Sequence, residues 1–215
     1  MRIIMFGTGP FAVPTFKALL ESSHEVPLLV TRPITDPGKR RKSAANPTRD
    51  AGEEAGIDIL DPASCNDEDT INRLRSLGAD LFVVCDYGQI LSKACLGAAR
   101  LGGINLHGSL LPKYRGAAPI NWAIYNGDTV TGITVIHMSP RLDAGNCLTR
   151  AEMPIGDNQT TGEIEPMLSE LGVQPVLDAI EMLGSWDGTS LIGEPQDKSL
   201  ATKAPRLKKS DGEID

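Results

Sequence analysis

The 215-residue chain is poor in aromatic side chains, at 4%. It cannot fill a core with large rings and must build one from Val, Ile, Leu and Ala, a composition that suits a parallel sheet covered by helices. Cysteine is sparse as well. Cys65, Cys85, Cys95 and Cys147 form no CxxC pair and have no histidine partners at ligand spacing. This argues against a zinc site and for free thiols in a reducing cytoplasm, so no metal is expected. No apolar run approaches membrane-spanning length. Met1–Gly7 is broken by glycine too soon to serve as a secretory signal. Positive charge is also in deficit, with a formal net charge of -7, so a nucleic-acid partner would have to be held by a local basic patch. What is present, 40% hydrophobic residues over this length, suffices for one globular domain with a real core.

The most informative stretch runs from Gly103 to Gly116, Gly-Ile-Asn-Leu-His-Gly-Ser-Leu-Leu-Pro-Lys-Tyr-Arg-Gly. Ile104 and Leu106 alternate with Asn105 and His107, which places both polar side chains on one face of a short strand. Gly108 and Pro112 break that strand, and Gly116 closes the segment as a loop. An amide and an imidazole are thus held side by side at a strand end, as two donors for an oxygen that gains charge in a reaction. Two polar groups at this spacing also occur where each is merely hydrogen-bonded in place. The surrounding loop, and an acid further on, favour chemistry.

Along the chain, residues 2–6 read as an apolar strand, followed by Gly7-Thr8-Gly9-Pro10-Phe11-Ala12 and a helix over 13–21 with Pro14 in its first turn. A second strand at 26–30 completes a βαβ opening. Gly7-x-Gly9-x-x-Ala12 invites a dinucleotide-binding reading. However, Pro10 removes a backbone donor from any phosphate cradle, and the second strand ends in Thr31-Arg32 instead of an acid for the ribose. A tight strand-to-helix turn fits better. The stretch 31–47 has no apolar periodicity and carries Lys39-Arg40-Arg41-Lys42. A loop this long is functional or disordered, and its four cations suit either a phosphate contact or a solvated charge run. Further on, the patterns give a helix at 48–55, a strand at 57–60, a helix at 66–77 and a buried strand at 81–85. A helix at 117–125 is followed by a hairpin of 133–138 with 147–153 around the turn 140–145, and then a helical span 161–183 with Gly172 in its middle. From Gly184 the pattern fades, and 185–215 reads as a linker or arm after a domain of residues 1–184.

Asn105-Leu106-His107-Gly108-Ser109-Leu110-Leu111-Pro112, taken with Asp143, resembles the 10-formyltetrahydrofolate-dependent formyltransferases over nearly the whole chain. The extension 113–120 and the terminal stretch 201–215 resemble the branch that formylates methionyl initiator tRNA. Sugar-nucleotide formyltransferases share much of 105–122 and are the alternative acceptor class. A folate- or nucleotide-binding module without turnover is the non-enzyme alternative. The resemblance implies a Rossmann-like open, mostly parallel twisted α/β sheet with helices on both faces. It implies 10-formyltetrahydrofolate as cosubstrate without a metal, initiator methionyl-tRNA as partner, a cytoplasmic monomer, and a β-barrel domain after the arm. It assigns Asn105, His107 and Asp143 to catalysis. Ser109, Leu110, Leu111 and Pro112 with Tyr87, Gly88 and Ile90 fall to the folate pocket, and Lys39, Arg40, Arg41 and Lys42 to tRNA contact. One departure stands out: Cys85-Asp86 occupies a place where the family tends to have small apolar residues before Tyr-Gly.

The chemistry implied is attack of an α-amine on a formyl carbon, formation of a tetrahedral oxyanion, and departure of a folate nitrogen. An α-amine with a pKa near 7.7 is already partly neutral and needs no strong base. The demand is for oxyanion stabilisation and proton relay. Asn105 and His107 would donate to the oxygen, and Asp143 would orient and charge His107 and pass a proton through water. His24 and His137 are given no role.

Overall fold

The structure, a computed structural model, describes residues 1–34 and 45–212. Seven strands form one open sheet in the order β3-β2-β1-β4-β5-β6-β7. The strands are β1 (Arg2–Gly7), β2 (Glu25–Val30), β3 (Asp58–Leu60), β4 (Leu81–Cys85), β5 (Gly103–His107), β6 (Val130–His137) and β7 (Asn146–Pro154). The first five pair in parallel, and β6 and β7 join antiparallel. The helices are α1 (Val13–Glu21), α2 (Pro47–Glu54), α3 (Glu68–Ser76), α4 (Lys93–Leu96), α5 (Pro119–Tyr125), α6 (Thr161–Leu171) and α7 (Val173–Gly184).

Both faces of the central strands are buried, which is why their sequences are nearly unbroken apolar runs. Ile3, Met5, Leu81, Val83 and Cys85 join the core under α1, α6 and α7. Ile4, Phe6, Phe82 and Val84, the alternating residues, join the core under α3 and α4. The strand order reverses between β1 and β4, where α/β sheets of this kind open a crevice at the carboxyl ends of the strands.

The span 161–183 is two helices. Gly172 lies against β5, and a Cβ there would stand 2.6 Å from Cδ2 of Leu106. The helix breaks where it packs against the strand that carries His107. Residues 185–212 lie along the body. Glu194 bridges Cys147 of β7, and Lys203 bridges Arg115. Ala204 is completely buried. All four cysteines are free and buried.

Candidate active site

A cavity of about 440 Å³ opens at the carboxyl ends of β1, β4 and β5. Strand ends and the loops after them supply its wall: Phe11, Arg32, Asp86–Leu91, Asn105–Gly108, Gly116–Asn121, Met138, Ser139 and Arg141–Asp143. Thr161 and Glu165 of α6 close one side, and Arg206 reaches in from the C-terminal segment.

Asn105 and His107 share one face of β5, as the alternation requires, and both reach this cavity. No described residue hydrogen-bonds to the Asn105 carboxamide, which leaves it available to a ligand. His107 is 6% exposed. Its Nε2 lies 2.8 Å from the Tyr114 carbonyl oxygen, which can only accept, so this nitrogen carries a hydrogen. Its Nδ1 faces Oδ2 of Asp143 at 3.8 Å, inside ion-pair range and beyond hydrogen-bond length. The group that fixes the ring is therefore the Tyr114 carbonyl, and Asp143 stands beside the nitrogen left over.

Tyr114 is built to aim that carbonyl. Its φ is +64°, unusual for a bulky residue. Its N–H donates to Thr202 Oγ1 at 2.8 Å, and its hydroxyl donates to Asp128 Oδ2 at 2.9 Å. Asp143 is also left-handed, at φ +47°, a conformation that Asp tolerates better than most residues. Its Oδ2 accepts the Gly116 N–H at 2.9 Å. Backbone strain held in place by surrounding bonds is characteristic of functional sites.

Tyr87, Gly88 and Ile90 line the cavity. Gly88, at φ +85°, lies under the Arg32 guanidinium, and a Cβ there would come within 3.2 Å of its Cζ. Ser109, Leu110, Leu111 and Pro112 are not among the residues that line it. They are spent on packing the turn. Ser109 is fully buried, with its hydroxyl donating to the Lys113 carbonyl at 2.7 Å. Leu110 covers Gly132 of β6. Leu111 packs with Ile136 and Cys147, and its N–H donates to Thr134 Oγ1 at 3.0 Å. Lys39, Arg40, Arg41 and Lys42 lie outside the described residues.

Gly7 and Gly9 serve close approach. A Cβ on Gly7 would stand 2.9 Å from Ala12 Cβ, and one on Gly9 would stand 1.7 Å from Oδ2 of Asp86. This is the tight turn read from the sequence. Of the departing pair, Cys85 points into the core, where burial pushes its thiol up, and only Asp86 meets the cavity. Asp86 is open to the cavity but hemmed in by protein on its other sides. That desolvation, with the charge of Glu165 adding to it and Arg32 opposing, lifts its carboxyl to about 6. Sequence reading missed Asp86, Glu165, Arg32 and Arg206 as site residues. The signal for Asp86 was its departure from a small apolar pattern. Glu165 and Arg206 carry no local signal, because each arrives from a distant element.

Among the described residues no three His, Cys, Asp or Glu side chains converge as a metal site would require, and no helix is long and apolar enough to cross a membrane.

The chain spans about two thirds of the length of the curated relatives it matches. It is 47% identical to the methionyl-tRNA formyltransferase of Rhodopirellula baltica over all of this chain and 66% of that protein. It is 42% identical to that of a Synechococcus species over all of this chain and 67% of that protein. The fold matches glycinamide ribonucleotide transformylase 1 from Symbiobacterium toebii at a TM-score of 0.72 and 21% identity, covering 92% of this chain and 94% of that one. The formyl transferase family model matches residues 1–180, and on that match the chain belongs to the formyl transferase family.

Proposed function

We propose that this chain transfers a formyl group from 10-formyltetrahydrofolate to the α-amino group of methionyl initiator tRNA, a reading supported by curated relatives named methionyl-tRNA formyltransferase. The observation that carries the reading is the meeting of Asn105, His107 and Asp143, from two distant segments, on one cavity wall. The amine nitrogen attacks the formyl carbon, and the carbonyl oxygen takes the negative charge. The Asn105 carboxamide donates one hydrogen bond to that oxygen, and the Nδ1–H of His107 donates another. Collapse re-forms the carbonyl and breaks the bond to the folate nitrogen. Asp143 accepts the proton shed by the amine, and a water between the groups returns one to the leaving nitrogen. Each donor to such an oxyanion is worth about 10²–10³ in rate. The loop with Tyr87, Gly88 and Ile90 supplies the folate-facing wall.

The test is a formyl-transfer assay with 10-formyltetrahydrofolate and either charged initiator tRNA or an amino-sugar nucleotide. Formylated methionyl-tRNA is the expected product. Formylation of the amino sugar alone overturns the acceptor assignment, and folate binding without turnover of either acceptor overturns the enzyme assignment.

A further inference from the structure

The C-terminal segment does more than leave the domain. Between Ile192 and Pro205 it bonds first to the start of β7, then through Gln196 to the Asp143 turn, and then to the loop that follows His107. On one side, Asn146 Nδ2 donates to the Ile192 carbonyl at 2.9 Å. Cys147 and Glu194 exchange backbone bonds at 2.9 and 2.8 Å. On the other side, the Arg115 N–H donates to the Thr202 carbonyl at 2.9 Å, and the Ala204 N–H donates to the Arg115 carbonyl at 2.7 Å. The approach is close enough that a Cβ on Gly116 would stand 2.4 Å from the Ala204 oxygen.

Gln196, half-buried, sits where the segment passes between the loops. Its Oε1 accepts from Arg115 Nε at 3.0 Å and Nη2 at 2.6 Å. Its Nε2 donates to the carbonyls of Asp143 and Gly145, each at 2.8 Å. One carboxamide thus spends both its oxygen and its amide hydrogens on joining the loop that carries Gly116 to the turn that carries Asp143. A carboxylate held in a left-handed backbone has no strand or helix of its own to fix it. Bonds to its backbone must do so.

We propose that Gln196 is a positioning residue for formyl transfer, whose two amide hydrogens hold the Asp143 turn so that the carboxylate stays against Gly116 and His107. The kinetic part of this inference rests on the proposed function, and the structural part does not. The donor half of the carboxamide is the essential one, because it alone reaches the Asp143 backbone. Gln196→Glu separates the halves. It keeps an acceptor for Arg115, now strengthened by charge, but turns an acceptor toward two carbonyls. Gln196→Ala removes both halves.

Two measurements on the whole chain test this. The first is amide hydrogen exchange at Gly116, whose N–H is bonded to Asp143 Oδ2 and so reports the carboxylate's position without any reaction. Both variants should exchange there at least tenfold faster than the parent, with the amides of β1 and β4 unchanged. The second is steady-state formyl transfer, in which both variants should lose about tenfold or more in kcat with KM for the folate donor unchanged. The inference is overturned if Gly116 exchange in Gln196→Glu stays at the parent value, whatever the activity. It is also overturned if an active parent and Gln196→Glu share one kcat, or if both variants lose kcat only in step with a general loss of protection, as a strap that merely stabilises the fold would produce. A parent without formyl transfer counts against the proposed function and leaves the exchange result to decide this one.

Discussion

Asp143 faces Nδ1 of His107 with Oδ2, the oxygen that also accepts the Gly116 N–H. The carboxylate is thereby tied to the loop leading out of β5, and both His107 and Asp143 line the cavity. With Nε2 committed to the Tyr114 carbonyl, Nδ1 is the ring nitrogen left facing the Asp143 carboxylate.

Asp143→Asn preserves size and an acceptor for Gly116 but removes the charge beside Nδ1. Turnover should fall about 10²- to 10⁴-fold, the range for a positioned acid–base group, with folate affinity within about twofold of the parent. Single-turnover kinetics with a separate binding titration read the two effects apart. Weakened folate binding with normal turnover of the bound complex contradicts the role given to Asp143.

Gly9 and Asp86 should be energetically coupled. The three atoms nearest a Cβ on Gly9 all belong to the Asp86 side chain, and Gly9 itself has an ordinary φ of −84°. Gly9→Ala should therefore cost about 1–3 kcal/mol through overpacking. Most of that cost should vanish in an Asp86→Gly background, which accepts the φ of +45° at that position. Denaturant melts of the four chains give the coupling, and simple additivity would show that the carboxylate swings clear unaided.

The sheet was legible because its strands are buried on two faces and punctuated by glycine and proline. Leu81–Cys85 and the hairpin around residues 140–145 fell where the patterns put them. The pair Asn105 and His107 was legible from period-two alternation alone. The stretch Ser109–Pro112 is turn-like in sequence and gives no sign that its side chains are taken up by the Lys113 carbonyl, Gly132, Ile136 and Cys147. The Tyr114 carbonyl and Gln196 were out of reach for a different reason. One is a backbone group, aimed by a left-handed residue, and the other becomes important only when 192–205 folds back, which no local periodicity encodes.

Asp86 gives the chain a stability that depends on pH in a stated direction. Its folded-state value of about 6 lies above the ordinary 3.8, so the native chain holds more protons than the unfolded chain between those values. Stability from this group is full below the lower value and is lost as pH rises through about 6. Asp86→Asn removes the penalty, and Asn tolerates the left-handed backbone equally well. The variant should melt above the parent at pH 7, and the gap should close most of the way by pH 4. A gap that is constant with pH, or a variant that melts lower at pH 7, contradicts the assignment of the raised group to Asp86.

Lys39, Arg40, Arg41 and Lys42 stand together in a chain of net charge -7. Their charge does little for a fold whose core is aliphatic, but it can draw in a phosphodiester backbone. Removing one cation from a phosphate lowers the slope of log affinity against log salt by about 0.7–0.9. Replacing all four by Gln should weaken binding of charged initiator tRNA and flatten its salt dependence, with folate binding and the thermal midpoint almost unchanged. A sugar nucleotide carries too few phosphates to respond in this way, so the same substitutions should leave its binding alone. The comparison is best made at low ionic strength, where exposed cations contribute most. Equal tRNA affinity and an equal salt slope in the quadruple variant would reduce the run to solvated surface charge, and acceptor recognition would then have to come from the cavity rim, where Arg32, Arg141 and Arg206 are the cations on its wall among the described residues.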